Sequence, residues 1–139
     1  MNKNGPVIVI EDDEDDREIL DAIFKELNYE NEVVFFQDGL KALAYLHDES
    51  VNPFLILSDI NMPQLNGFEL RDKIRNDEAL NLKCIPYLFF TTAAEQPTVI
   101  TAYSKSVQGF FIKPGNYNDI KDIVKAMMDY WKKCQAPNI

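Results

Sequence analysis

The sequence has no apolar run near the ~20 residues needed to cross a bilayer. The apolar stretch near its start, the five residues Pro6 to Ile10, is too short for a signal-peptide core, and no cleavage site follows it. Positive charge is scarce: 14 Lys and Arg stand against 23 Asp and Glu, a net charge of −9. That excludes the basic footprint on which non-specific nucleic-acid binding depends. Cysteine is limited to Cys84 and Cys134, which have no metal-ligand spacing and read as reduced thiols. No repeat, linker or low-complexity segment interrupts the chain. These absences lead to the expectation of a single cytoplasmic domain, neither secreted nor membrane-embedded. The 139 residues, 46% hydrophobic and 27% charged, are enough for one core.

What is present is an alternation of strands and helices. Val7–Ile10, Val33–Phe36, Phe54–Leu57, Ile85–Phe90 and Gly109–Ile112 are short continuous apolar runs, as expected of strands buried on both faces. Between them lie helical patterns. Ile19, Leu20, Ile23, Phe24 and Leu27 share one face. Asp38 is placed to cap a helix carrying Leu40, Leu43, Ala44 and Leu46. A charged, weakly periodic helix ends near Asn76, and Pro97 suits the first turn of another. The last helix has the clearest period, through Ile120, Ile123, Val124, Met127, Tyr130 and Trp131, with Met127 and Met128 expected part core and part surface. Five βα units in a row predict an α/β fold, a doubly wound parallel sheet with helices on both faces.

In such a sheet ligands sit beyond the carboxyl ends of the strands. Glu11, Asp12 and Asp13 follow the first strand, Ser58, Asp59 and Asn61 the third, Thr91 and Thr92 the fourth, and Lys113 and Pro114 the fifth. Clustered carboxylates need a counter-charge, which a hard cation such as Mg²⁺ supplies through oxygen ligands. Lys113 is a second cation, and the Thr91 hydroxyl is a donor. The set suits a phosphoryl group carried by a carboxylate. Each residue alone has a plainer reading: Asp59 as a loop or cap residue, Lys113 and Thr91 as ordinary strand-end residues. Glu11 to Asp16 are six consecutive acids, and of these Asp15 and Asp16 read as a solvated helix start. His47 reads as a surface residue, and Trp131 as core or a packing lid.

Five signatures in order resemble the response-regulator receiver domain, the CheY-like phosphoacceptor module of two-component signalling. They are Val9-Ile10-Glu11-Asp12-Asp13, Leu57-Ser58-Asp59-Ile60-Asn61-Met62-Pro63 with Gly67, Ile85-Pro86, Phe90-Thr91-Thr92-Ala93, and Phe110-Phe111-Ile112-Lys113-Pro114. Aligning the family's helix-start arginine with Arg17 sets the acidic pair on Glu11 and Asp12 and leaves Asp13 as an extra acid. The resemblance implies the flavodoxin-like strand order 2-1-3-4-5, with a receiver unit over residues 6–134 and a tail over 135–139. It implies Asp59 as the phosphoacceptor, assisted by Thr91 and Lys113. It further implies Mg²⁺ held by Asp12, Asp59 and the Asn61 backbone carbonyl, with Glu11 acting through water. The implied donor is a sensor histidine kinase or histidine phosphotransfer protein, and the implied output is a downstream protein. That protein would meet the face made by the helix after strand four, by strand five and by the last helix. Neither nucleic acid nor membrane is an implied partner. The chain would catalyse only its own phosphorylation and dephosphorylation.

Three departures stand out. Glu11 replaces the commoner Asp, Phe110 stands where many members place a switch tyrosine, and Gly115-Asn116-Tyr117 replaces the usual apolar residue and short polar turn. Three other classes fit these residues less well. A Mg²⁺-dependent phosphohydrolase with an aspartyl-phosphate intermediate needs a second Asp as general acid where Asn61 stands. A flavin-binding flavodoxin needs a phosphate-cradling loop where the six acids lie. An adaptor receiver that is never phosphorylated would have no need of the complete acceptor set.

Overall fold

The computed structural model of the protein describes residues 1–137; positions 138–139 of the expected tail lie outside the described residues. The elements run β1 (Val7–Ile10), α1 (Glu14–Leu27), β2 (Val33–Phe36), α2 (Gly39–Leu46), β3 (Leu55–Ser58) and α3 (Gly67–Asn76). They continue with α4 (Glu78–Asn81), β4 (Tyr87–Thr91), α5 (Gln96–Ser104), β5 (Gly109–Ile112) and α6 (Tyr117–Lys133). The five strands form one parallel sheet in the order β2-β1-β3-β4-β5.

The continuous apolar runs are explained by the period-two alternation of strand side chains. Ile8, Ile10, Ile56, Tyr87 and Phe89 enter one core together with residues of α2, α3, α4 and α5. Val7, Val9, Leu55, Leu57, Leu88 and Phe90 enter the other, against α1 and α6. Each fully buried side chain of this size contributes about 1.5–3 kcal/mol.

Two strands begin later than expected. β3 starts at Leu55, one residue beyond Phe54, and β4 starts at Tyr87, after Pro86. Pro86 has no N–H to give to the ladder, but its carbonyl accepts from the Ile56 amide at 2.9 Å. The shift carries Ser58 and Thr91 into the strand ends.

The helices differ from the expected pattern in three places. In α2 the inward positions are Gly39, Ala42 and Leu46, while Leu40 is 47% exposed and Ala44 is exposed. The Asp38 side chain accepts from the Lys41 amide at 2.9 Å and caps the helix, as expected. Gly39 must be small, because a β-carbon there would lie 2.5 Å from the Leu65 carbonyl oxygen. Met127 and Met128 are both buried, since α6 packs against α1 as well as the sheet. The extra helix α4, capped by Asp77, inserts Leu80 into the core. The weak period of α3 comes from Arg71, which is charged yet buried with Leu70 and Ile74. Its guanidinium donates to the carbonyls of Lys105 at 3.1 Å and Ser106 at 2.7 Å and lies 5.6 Å from the Tyr87 ring centroid.

Candidate functional site

The ladder runs one residue past three strands and so aligns their ends. The Glu11 amide donates to the Phe36 carbonyl at 2.9 Å, Asp59 to Ile10 at 3.0 Å, and Lys113 to Thr91 at 2.9 Å. Glu11, Asp59 and Lys113 are thereby fixed on one edge of the sheet. Asp13 caps α1 through its side chain, accepting from the Asp16 amide at 3.0 Å. It is therefore a helix cap, and Glu11 and Asp12 are the acids left to the site. Arg17 donates to the Glu11 carbonyl at 2.8 Å.

The Lys113 ammonium is the centre of the cluster. It pairs with Glu11 Oε1, with Asp16 Oδ2 at 3.1 Å and with Asp59 Oδ2 at 3.3 Å. The other Asp59 oxygen, Oδ1, accepts from the Ile60 amide at 2.7 Å. Carboxylate oxygens of Glu11, Asp12 and Asp59 lie within 4.8 Å of one another. Glu11 is 2% exposed, and its Oε2 is buried with no hydrogen-bond partner. Burial, followed by the neighbouring carboxylates of Asp59 and Asp16, pushes the Glu11 carboxyl up to about 9 against the pull of Lys113. Burial opposes the charged form of Asp59 too, but the neighbouring Glu11 carboxyl and Thr91 hydroxyl, the charge of Lys113 and the Ile60 amide hold it below the usual carboxylate range. Burial works against the charge on Lys113, yet its carboxylate partners raise its pKa. Three close carboxyl groups with an orphaned buried oxygen are a donor set that fits a hard divalent cation.

Other expected residues lie around this centre. Thr91 is buried at the end of β4, its hydroxyl accepting from the Ala93 amide at 3.2 Å. Asn61 is exposed, two residues beyond Asp59. Phe110 is half-buried, with its ring 6.2 Å from that of Phe89. His47 is exposed, as expected, 4.0 Å from Asp77. Trp131 packs partly buried against the core beneath α6. Asp16 differs from its reading as a solvated acid, because it reaches Lys113. The available signal was the cap: with Asp13 at the helix start, Asp16 falls in the first turn, and helical side chains lean back toward the N-terminus. Asp15 is exposed, as expected.

A doubly wound parallel sheet in this order, with an acidic cluster and a lysine at its carboxyl edge, defines a CheY-like signalling module. A family model described as the response regulator receiver domain matches residues 7–125, and the chain belongs to that family. The response regulator Rcp1 of Synechocystis is 28% identical over 90% of this chain and 87% of its own length. The chemotaxis protein CheY-3 of Vibrio cholerae is 30% identical over 88% of this chain and 90% of its own. Among solved structures, the phosphorylated cyanobacterial phytochrome response regulator RcpA superposes with a TM-score of 0.86 at 26% identity, covering 97% of this chain and 99% of that one. Rcp1 in its Mn²⁺-bound form gives 0.82 at 26% identity and the same coverage. The chain is a receiver domain of two-component signalling. No helix among the described residues is long and apolar enough to cross a membrane.

Proposed function

We propose that this receiver is a phosphorylation switch in which Asp59 accepts a phosphoryl group from a sensor histidine kinase or a histidine phosphotransfer protein. The observation that carries the reading is the split environment of the Asp59 carboxylate. Oδ1 is anchored by the Ile60 amide, while Oδ2 faces the Lys113 ammonium. One oxygen is held while the other is presented beside a positive charge, which is the positioning that in-line phosphoryl transfer requires. The P–N bond of the donor phosphohistidine breaks as the P–O bond to Asp59 forms. Thr91 and Lys113 then donate to the new phosphoryl oxygens.

Asp12, Asp59 and the Asn61 carbonyl are the assigned ligands of Mg²⁺, with Glu11 behind a water, and the ion supplies counter-charge to the clustered acids. The Mn²⁺-bound form of Rcp1 supports a divalent cation in a site of this kind, and the phosphorylated form of RcpA supports a phosphorylated receiver. The output surface is the face of α5, β5 and α6, where Ile100, Tyr103, Ile112 and Tyr130 are exposed. Phosphorylation adds about −1.5 to −2 charge by analogy with phosphoserine-type groups and biases a two-state equilibrium read by a downstream protein. The receiver unit is assigned to residues 6–134. The free thiols of Cys84 and Cys134 accord with a cytoplasmic setting.

The phosphohydrolase reading has less support. Asn61 stands in place of the required general acid. The test is phosphotransfer from a labelled, autophosphorylated sensor histidine kinase. Wild type gains the label and Asp59→Asn does not; equal labelling of both overturns the assignment.

A further inference from the structure

Lysine has three N–H donors, and those of Lys113 face three carboxylates: Glu11 Oε1, Asp16 Oδ2 at 3.1 Å and Asp59 Oδ2 at 3.3 Å. All three are in use in the resting site. A phosphoryl group on Asp59 brings new anionic oxygens, and Lys113 can meet them only by giving up a bond it already makes.

The three bonds differ in what their loss costs. Glu11 is 2% exposed and its second oxygen already lacks a partner, so releasing Oε1 would leave a buried carboxyl with no hydrogen bond from Lys113. Asp59 carries the phosphoryl group itself. The Asp16 side chain is 39% exposed, and water can replace the ammonium there at small cost. The Asp16 bond is the one that yields.

We propose that Asp16 is a positioning residue for Lys113. It holds the ammonium on the α1 side of the resting site and releases it to the phosphoryl group, so it acts as a brake on the phosphorylated state. This rests on the reading of Asp59 as phosphoacceptor. Asp16 sits in the first turn of α1, its backbone amide tied to the Asp13 cap. The brake is therefore anchored to a helix start and does not hang from a mobile loop.

The test is calorimetric titration of beryllofluoride, a phosphoryl analogue, into the full chain at saturating Mg²⁺. Four variants are compared with wild type: Asp16→Asn, Asp16→Glu, Asp15→Asn and Asp59→Asn. Asp16→Asn is expected to bind about two- to fivefold more tightly, the range set by one partly exposed ion pair. Asp16→Glu keeps the charge and should stay near wild type. Asp15→Asn removes the same formal charge from a neighbouring exposed residue and should change the affinity less than Asp16→Asn. A structural role for Asp16 would move unfolding midpoints without raising analogue affinity. Unchanged or weaker binding by Asp16→Asn, or an equal gain in Asp15→Asn, overturns the positioning role. Binding by Asp59→Asn equal to wild type overturns the acceptor reading itself, and no binding by wild type overturns both.

Discussion

A β-carbon placed on Gly67 would lie 2.3 Å from the carbonyl oxygen of Asp59 and 2.8 Å from the Phe89 ring. The first turn of α3 thus passes directly over the backbone of the acceptor residue. The Gly67 amide donates to Ile60 at 2.8 Å, and the Gly67 carbonyl accepts from the buried Tyr87 hydroxyl at 3.1 Å. Glycine is needed for space at this position, and its amide ties the loop after β3 to the start of α3.

Gly67→Ala must displace either the Asp59 peptide or the Phe89 ring. The expected cost is about 1–3 kcal/mol, as for other overpacked sites, read from the urea midpoint. It should be accompanied by slower phosphorylation, because the acceptor backbone moves. A wild-type midpoint would show that the loop absorbs the extra methyl.

Lys113→Ala should fold and accept phosphate more slowly than wild type, because the charge beside Asp59 Oδ2 is gone, and it should fail to transmit the change. Lys113 joins Asp59 to the end of β5, next to the output face. The readout is the phosphorylation-dependent change in Trp131 fluorescence. A wild-type change in the variant contradicts the role given to this lysine.

Truncating Arg71 to Ala removes two charge-assisted bonds, to Lys105 and Ser106, and uncovers the Tyr87 ring. The expected loss is about 2–4 kcal/mol in chemical denaturation. A loss within ~0.5 kcal/mol, the range of ordinary surface substitutions, would mean that water satisfies the freed carbonyls.

The strands were legible in the sequence because burial on both faces produces unbroken apolar runs, as in Val7–Ile10. The positions of Glu11, Asp59, Thr91 and Lys113 were legible for a related reason, since a strand end followed by a polar residue marks the carboxyl edge of the sheet. What escaped the reading depends on tertiary partners. Arg71 looks like a solvent-facing charge until the carbonyls of Lys105 and Ser106 are seen beside it. Asp16 looks like one acid among six until Lys113 arrives from the far end of the chain. Leu40 gives way to Ala42 as an inward residue because α2 packs closely enough on Leu65 that the glycine at 39, and not the leucine at 40, faces inward.

The residue at 93 should set the phosphoryl lifetime. Its amide donates to Thr91 Oγ1 at 3.2 Å and the residue is half-buried; it stands two residues beyond Thr91, where the resemblance to receiver domains implies a side chain flanking the path of the attacking water. Ala93→Glu can orient a water and shorten the lifetime, while Ala93→Leu should occlude the approach and lengthen it. Decay of the purified phosphoprotein in Mg²⁺ measures both, and indistinguishable decays would remove position 93 from the hydrolysis pathway.

The central claim is that Asp59 is the single phosphoacceptor and works only with a divalent cation among Glu11, Asp12 and Asp59. Its most direct test is intact-mass measurement after incubation with acetyl phosphate and Mg²⁺, for wild type, for Asp59→Asn and for wild type in EDTA. The account predicts one added phosphoryl group in the first sample and none in the other two. Equal labelling of Asp59→Asn, or undiminished labelling in EDTA, would contradict it.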